Sequence, residues 1–264
     1  MGFLAIDIGN TNITVGHFHG GELRQTLKIP SVTDPREFSP RIEEWLGAER
    51  FQSIRSVGVS SVVRDLENTV SESLAGVYRS KGLKPPRFVL ITRDSPSPLK
   101  SSYKRGMLGT DRMLAAVAAA SLFGKPVITV DIGSAVTIDL VDGDGVFQGG
   151  FILAGAGFRA RALAAFTSLL PEVPVPQSPP PLLGTDTVGC LSSGIYHGMR
   201  AEILGLVAQV QGEVGAPTPV VLTGQGSRLF REDLPQGWHI EEWLVLKGIF
   251  VACEESGVRS PKSA

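Results

Sequence analysis

Apolar runs closed by glycine recur along the chain. Phe3 to Ile8 is one such run, ended by Gly9, and it predicts a buried strand entering a turn. Asn12 to Phe18 and Glu22 to Ile29 predict two further strands joined at Gly20-Gly21, so the chain opens as a β-meander. Pro35 to Ala48 predicts a helix, Ser56 to Ser60 a short strand, Val63 to Lys81 an amphipathic helix, and Phe88 to Ile91 another strand. Ser95 to Met107 holds two prolines among polar residues and predicts a loop. Asp111 to Phe123, rich in Ala and Leu, predicts a helix.

The pattern then restarts. Val127 to Ile132 is apolar and ends in Gly133, Ala135 to Val141 and Val146 to Leu153 predict strands, and Asp142 to Gly145 is the turn between them. Phe158 to Leu170 predicts a helix, Pro171 to Pro181 a proline-rich loop, Cys190 to Gly212 a long helix, Val220 to Thr223 a strand, and Glu241 to Glu255 a segment ending as helix. Asp7-Ile8-Gly9 and Asp131-Ile132-Gly133 both follow an apolar strand and precede a second one. A meander followed by crossover helices, met twice, predicts two similar α/β domains facing a cleft, 1–120 and 121–264.

Composition narrows the function. The chain has 264 residues, 42% of them hydrophobic, enough for a sizeable core. Its formal net charge of −1 argues against a general electrostatic grip on nucleic acid or anionic lipid. Lys100, Lys104, Arg105 and Arg112 form one local basic patch. Cys190 and Cys253 are far apart and fit no metal pattern, so two reduced thiols are expected. With no membrane-length apolar run and no signal-like start, a cytoplasmic location is expected.

Four segments carry candidate chemistry. In Asp7-Ile8-Gly9-Asn10-Thr11-Asn12, a carboxylate ends a strand and short polar residues follow a glycine. Such a turn can aim donors at phosphate oxygens while the Asp holds Mg²⁺ through water; it is also a common hairpin sequence. Gly109-Thr110-Asp111-Arg112 starts the Ala-rich helix. Asp111 there is either a plain helix cap or a base for a hydroxyl, with Arg112 binding an anionic group. Asp131 to Asp139 supplies a second strand-end carboxylate and the hydroxyls of Ser134 and Thr137. Thr223-Gly224-Gln225-Gly226-Ser227 is a turn that can approach a nucleotide closely, or a simple strand-to-helix turn.

Other readings compete less well. No Gly-x-x-x-x-Gly-Lys-Ser/Thr is present, which disfavours a P-loop enzyme. Gly155-Ala156-Gly157-Phe158-Arg159-Ala160 matches the loose dinucleotide pattern, but no acidic residue ends a strand about 20 residues on, so a close-packed strand–helix turn is expected. His17 and His19 can share a strand face, yet nothing joins them into a metal cluster, and surface histidines are expected. Trp45, Trp238 and Trp243 read as core or interface residues.

In this order the motifs resemble type III pantothenate kinases. That family shows Asp-x-Gly-Asn-Thr, Gly-x-Asp-Arg, Asp-x-Gly-Thr-Ala and Gly-Gly-x-Ile, which stand here as Asp7 to Thr11, Gly109 to Arg112, Asp131 to Ala135, and Gly149-Gly150-Phe151-Ile152. Further likeness lies in Ala162-Leu163 through Leu170-Pro171, in Gly184-Thr185-Asp186-Thr187 with Ser193-Gly194, and in Leu244 to Gly248. Ser134 replaces the usual Thr, the Tyr103–Leu108 segment lacks the usual proline, Ala154 stands for Pro, and Gln225 interrupts a Gly-Gly.

The resemblance implies the duplicated ribonuclease H-like, actin-like fold and ATP-dependent phosphorylation of pantothenate, the first step of coenzyme A synthesis. It implies a homodimer using ATP with Mg²⁺ and a monovalent cation, K⁺ or NH₄⁺. Asp111 would be the catalytic base; Tyr103, Gly109, Thr110, Arg112 and Thr187 would bind substrate, Thr187 from the partner. Asp7, Gly9, Asn10, Thr11, Asn12, Ser134 and Gly224 would meet ATP, with Asp7 orienting Mg²⁺ and Asp131 holding the monovalent cation. A non-catalytic accessory protein of the same fold, and an actin-like kinase for another hydroxylated acid or sugar, are the alternatives.

Overall fold

A strand buried on both sides needs partners on both edges, and the glycine-closed runs find them. The structure, a computed structural model, describes residues 2–31, 35–63, 66–104 and 106–255. β1 (Gly2–Ile8), β2 (Asn12–His19) and β3 (Glu22–Pro30) form the predicted antiparallel meander. Its β2–β3 turn is Gly20-Gly21, both with positive φ (64° and 84°), the geometry a tight hairpin asks for. Two short helices, α1 (Pro35–Leu46) and α2 (Ala48–Ser53), lead to β4 (Ile54–Ser61), which lies parallel on the other edge of β1. α3 (Leu66–Ser80) crosses back to β5 (Arg87–Ile91), giving the order β3-β2-β1-β4-β5. Residues 64 and 65, at the expected start of α3, and Arg105 of the basic patch lie outside the described residues. A two-residue strand β6 (Lys100–Ser101) interrupts the expected loop, and α4 (Thr110–Phe123) follows.

β7 (Val127–Ile132), β8 (Ala135–Val141) and β9 (Val146–Ala154) are again an antiparallel meander. α5 (Ala156–Ala165) stops short of the expected Leu170, and α6 (Thr187–Val214) starts earlier than Cys190. The reason for the early start is a cap: Asp186 accepts a hydrogen bond from the Gly189 amide at 2.7 Å, and Gly215 closes the far end with φ 67°. β10 (Val220–Thr223) pairs parallel to β7, and β11 (Trp238–Ile240) parallel to β10. The run β9-β8-β7-β10-β11 thus repeats the topology of the first sheet. A 3-10 helix, Gln225–Asp233, and β11 are too short to show a sequence period.

The chain divides into two compact units, Met1–Ala118 with Val245–Ala264, and Ala119–Leu244. A split at 120/121 would leave the last helix, α7 (Leu244–Glu255), in the second unit; its contacts put it in the first. Phe250 stacks on Phe18 at 4.8 Å and meets Phe3 edge-on at 5.3 Å. Gly58 on β4 has no room for a side chain, since a Cβ there would lie 2.5 Å from Ile249 and 2.8 Å from the Cys253 sulfur. Gly248 lets α7 touch α4, where a Cβ would fall 2.0 Å from the Leu114 carbonyl oxygen. Cys253 is buried, and burial pushes its thiol up to about 12.

Each unit has its own core. Leu4, Ile6, Ile8, Val15, Ile42 and Leu74 lie in the first, with Trp45 packed against it. Ile128, Val130, Ile138, Ile195, Met199 and Leu222 lie in the second, with Trp238 against it. Ile195, Met199 and Ile203 of α6 pack inside this unit.

Candidate active site

Parallel pairing beside a meander leaves the carboxyl ends of two adjacent strands at one edge, where loops can carry chemistry. In the first unit that edge collects the Asp7 turn and the start of α4. Asp7 is half-buried near the end of β1, in register with Thr14 on β2 and Ser60 on β4. The Gly9 amide donates to the Asn12 carbonyl at 3.0 Å, and Ser31 clamps the turn by donating its hydroxyl to the Gly9 carbonyl (2.6 Å) and its amide to that of Thr11 (3.0 Å). Asn10 and Thr11 at the tip are exposed. The Val62 amide donates to the Ile8 carbonyl at 3.0 Å, and the Thr110 hydroxyl to the Ser61 carbonyl at 3.4 Å. The ends of β1 and β4 and the first turn of α4 therefore come together.

The residues of that first turn differ in burial. Arg112 is only 9% exposed, and its guanidinium donates to the Tyr103 hydroxyl at 3.4 Å while lying 5.6 Å from that ring's centre. Asp111 accepts from the Arg112 amide at 2.9 Å, as a helix-start carboxylate does. Its carboxylate lies back over Gly109, where a Cβ would come within 2.6 Å of it. Tyr103, Gly109, Thr110, Asp111 and Arg112 are thus one cluster in the first unit, and the Asp7–Asn12 turn is tied to it through β4.

The second unit has its own collection. Asp131, half-buried, is in register with Thr137 on β8 and Thr223 on β10. Gly224 has φ 78°, and a Cβ on it would lie 2.3 Å from the Asp131 carboxylate and 2.7 Å from the Ile132 carbonyl oxygen. Glycine is needed there twice over, for conformation and for space. Ser134 is exposed on the β7–β8 turn, and its carbonyl accepts from the Gly155 amide at 3.0 Å. A Cβ on Gly155 would fall 2.3 Å from the Gly133 carbonyl, so this glycine serves close packing, as expected of the loose dinucleotide match. Thr187 is exposed at the start of α6, in a segment folded tightly by Gly184.

Two features escaped the motif reading. His17 is buried rather than on the surface, because β2 is covered on both sides at that end. Ser60, also buried, has a hydroxyl without a hydrogen-bond partner at the carboxyl end of β4. Its place beside Asp7 comes from the β1–β4 pairing, which the sequence does not show. Among the described residues no group of three or more His, Cys, Asp or Glu side chains could hold a metal, and no helix is long and apolar enough to cross a membrane.

The family model for type III pantothenate kinases matches residues 3–209. The chain belongs to the type III pantothenate kinase family. A type III pantothenate kinase of Thermomicrobium roseum is 32% identical over 255 residues, covering 95% of this chain and 96% of its own. One of Chlorobaculum parvum is 33% identical over 254 residues, covering 93% and 92%. Among solved structures, a Campylobacter jejuni protein described as a Baf-family transcriptional activator aligns over 97% of this chain and 100% of its own, with TM-score 0.60 and 18% identity. Component A of the Acidaminococcus fermentans (R)-2-hydroxyglutaryl-CoA dehydratase aligns over 98% and 100%, with TM-score 0.52 and 14% identity. These two speak for the fold alone, the duplicated ribonuclease H-like fold of the actin-like ATPases. The activity is that of a pantothenate kinase, the ATP-dependent phosphorylation that opens coenzyme A biosynthesis.

Proposed function

We propose that Asp111 is the general base of this reaction and that Arg112, steadied by Tyr103, pairs with the pantothenate carboxylate. The observation that carries this is a half-buried Asp111 next to Arg112, a residue 9% exposed whose guanidinium meets Tyr103, at the start of one helix. A buried guanidinium suits a bidentate carboxylate partner. Asp111 takes the proton of the primary hydroxyl as its oxygen attacks the γ-phosphorus, and ADP leaves with the bridging oxygen. Gly109 and Thr110 complete the pantothenate contacts. Asp111→Asn keeps the size and removes the basicity, so turnover falls by about 10²-fold or more with the melting temperature unchanged. Near-normal pantothenate-dependent ADP release from that variant would make Asp111 a helix cap.

The same reading gives Gly9, Asn10, Thr11 and Asn12 to the ATP phosphates, and Ser134 and Gly224 to the nucleotide as well. A half-buried Asp7 at a strand end fits Mg²⁺ held through water, and the ion would neutralise developing phosphate charge. Asp131, with the Ile132 carbonyl nearby and a glycine in place of any side chain, offers hard oxygens suited to K⁺ or NH₄⁺. Replacing Na⁺ by K⁺ then raises activity, and Asp131→Ala abolishes the response.

A homodimer through the second unit and a cytoplasmic location complete the reading. An apolar hollow of about 720 Å³ between α5 and α6 is lined by Phe158, Ala162, Leu163, Phe166, Leu191 and Ile195. Phe166 is 88% exposed and Leu183 81%, surface that a second copy would cover. Thr187 stands on the same helix as Leu191 and Ile195, and it would reach the partner's pantothenate. Sedimentation as a monomer at working concentrations would overturn the dimer.

A further inference from the structure

The opposite end of the first sheet from Asp7 holds a second polar hollow, of about 540 Å³. Its walls are His17 and His19 from β2, Arg24 and Gln25 from β3, and Glu49, Arg50 and Ser53 from α2. Gly2 pairs with His19 at this end, whereas Asp7 pairs with Thr14 five residues further along. At about 3.3 Å per residue this is a separate place from the catalytic cluster of the same unit.

Three polar atoms in these walls are unexplained by the fold. Both ring nitrogens of His17, a residue 4% exposed, are buried without a hydrogen-bond partner, and so is the Gln25 amide nitrogen across the β2–β3 pair. Buried donors left unmade are costly, and each calls for a partner. Gly2 leaves space beside the ring, since a Cβ there would sit 3.4 Å from His17 Nε2 and 3.2 Å from the Ser53 hydroxyl.

The charges decide what kind of partner fits. Arg24 and Arg50 contribute two guanidinium groups, and the imidazoles of His17 and His19 stand in the same walls. The carboxylates present are Glu49 in the wall and Glu22, which pairs with Arg24 at 2.7 Å. A metal is a poor match: the two rings stand 6.5 Å apart, and no third ligand completes a cluster among the described residues. We propose that this hollow binds an oxyanion of the phosphate class, free or carried on a small molecule, through Arg24, Arg50 and the two imidazoles.

Burial first, then the nearby His19 and Arg50, hold the His17 imidazolium below its ordinary range. A bound dianion reverses the sign of that surrounding field. A bound anion therefore favours the protonated ring.

The test is a titration of the full chain with inorganic phosphate in a phosphate-free buffer, read by the ring resonances of His17 and His19 and by calorimetry. Saturable shifts of both rings are expected, and the His17 ring should hold its proton to higher pH with phosphate bound than without. Arg50→Ala, an exposed change remote from the kinase residues, should weaken phosphate by about tenfold and leave ATP-dependent turnover intact. His17→Gln should weaken phosphate binding at constant pH. Glycerol phosphate run in parallel separates the sources: tighter binding than inorganic phosphate points to a phosphorylated small molecule, and weaker binding to the free ion. Rings that do not respond to millimolar phosphate, or an Arg50→Ala protein that titrates like the wild type, would overturn the proposal.

Discussion

The Asp7 and Asp131 turns stand at the same point of the same strand order, yet they are finished differently. Across from Asp131, the Thr223 hydroxyl donates to the Glu242 carbonyl at 3.1 Å and accepts from the Leu244 amide at 3.4 Å. Across from Asp7, the Ser60 hydroxyl is buried without a partner. Gly224 closes against the Asp131 carboxylate, while Gly9 meets only the Asn12 carbonyl oxygen, at 3.1 Å from an added Cβ. The second turn is packed by Thr223 and Gly224, whereas the first is tied by Ser31 and leaves the Ser60 hydroxyl unmet. Duplication thus preserved the frame and let the two polar ends diverge.

The two turns differ most at their glycines. Gly224→Ala forces a methyl into the Asp131 carboxylate at positive φ, so a loss of about 2 kcal/mol or more in denaturant unfolding is expected. Gly9→Ala carries no such φ penalty and should cost under about 1 kcal/mol. Equal losses at the two positions would show the turns to be alike. The hydroxyls give a smaller contrast. Thr223→Val removes two hydrogen bonds and should cost about 1–2 kcal/mol, whereas Ser60→Ala should be neutral or slightly stabilising in the free protein. Ser60→Ala sharpens the picture further if KM for either substrate rises while stability holds.

Acidity should act on the first sheet. His17 titrates at its ordinary 6.5 when unfolded and lower when folded. Between those two values the unfolded chain holds the extra proton, so stability is whole above 6.5 and declines as pH falls through the interval. His17→Gln should flatten that decline in a pH series of melting curves. The smallest effect is chemical: in the folded protein a thiol reagent should spare Cys253, whose thiol is pushed up to about 12 by burial, and reach it once the first unit unfolds.

Much of this was legible in the chain. Asp7 and Asp131 announce themselves because a strand-end carboxylate before a glycine stands out from an apolar run. Arg112 was marked by its place at a helix start; its burial against Tyr103 was not, since contacts across a loop leave no period. His17 was misjudged because alternation assumes one wet face, and Gly16, His17 and Phe18 are all buried. The home of α7 was hidden for a like reason: amphipathicity says that a helix has an apolar face, not which sheet receives it.

That helix also sets an order of events during synthesis. Phe3 and Phe18 emerge from the ribosome early, and Phe250, which covers them, emerges more than 200 residues later. The second unit, by contrast, is one uninterrupted stretch from Ala119 to Leu244. The second unit therefore needs no residue made after Leu244, whereas the first cannot be completed until α7 has been made. Chaperones that guard nascent chains would meet this kinase at its N-terminal sheet, and a message truncated before α7 would leave that surface exposed for good.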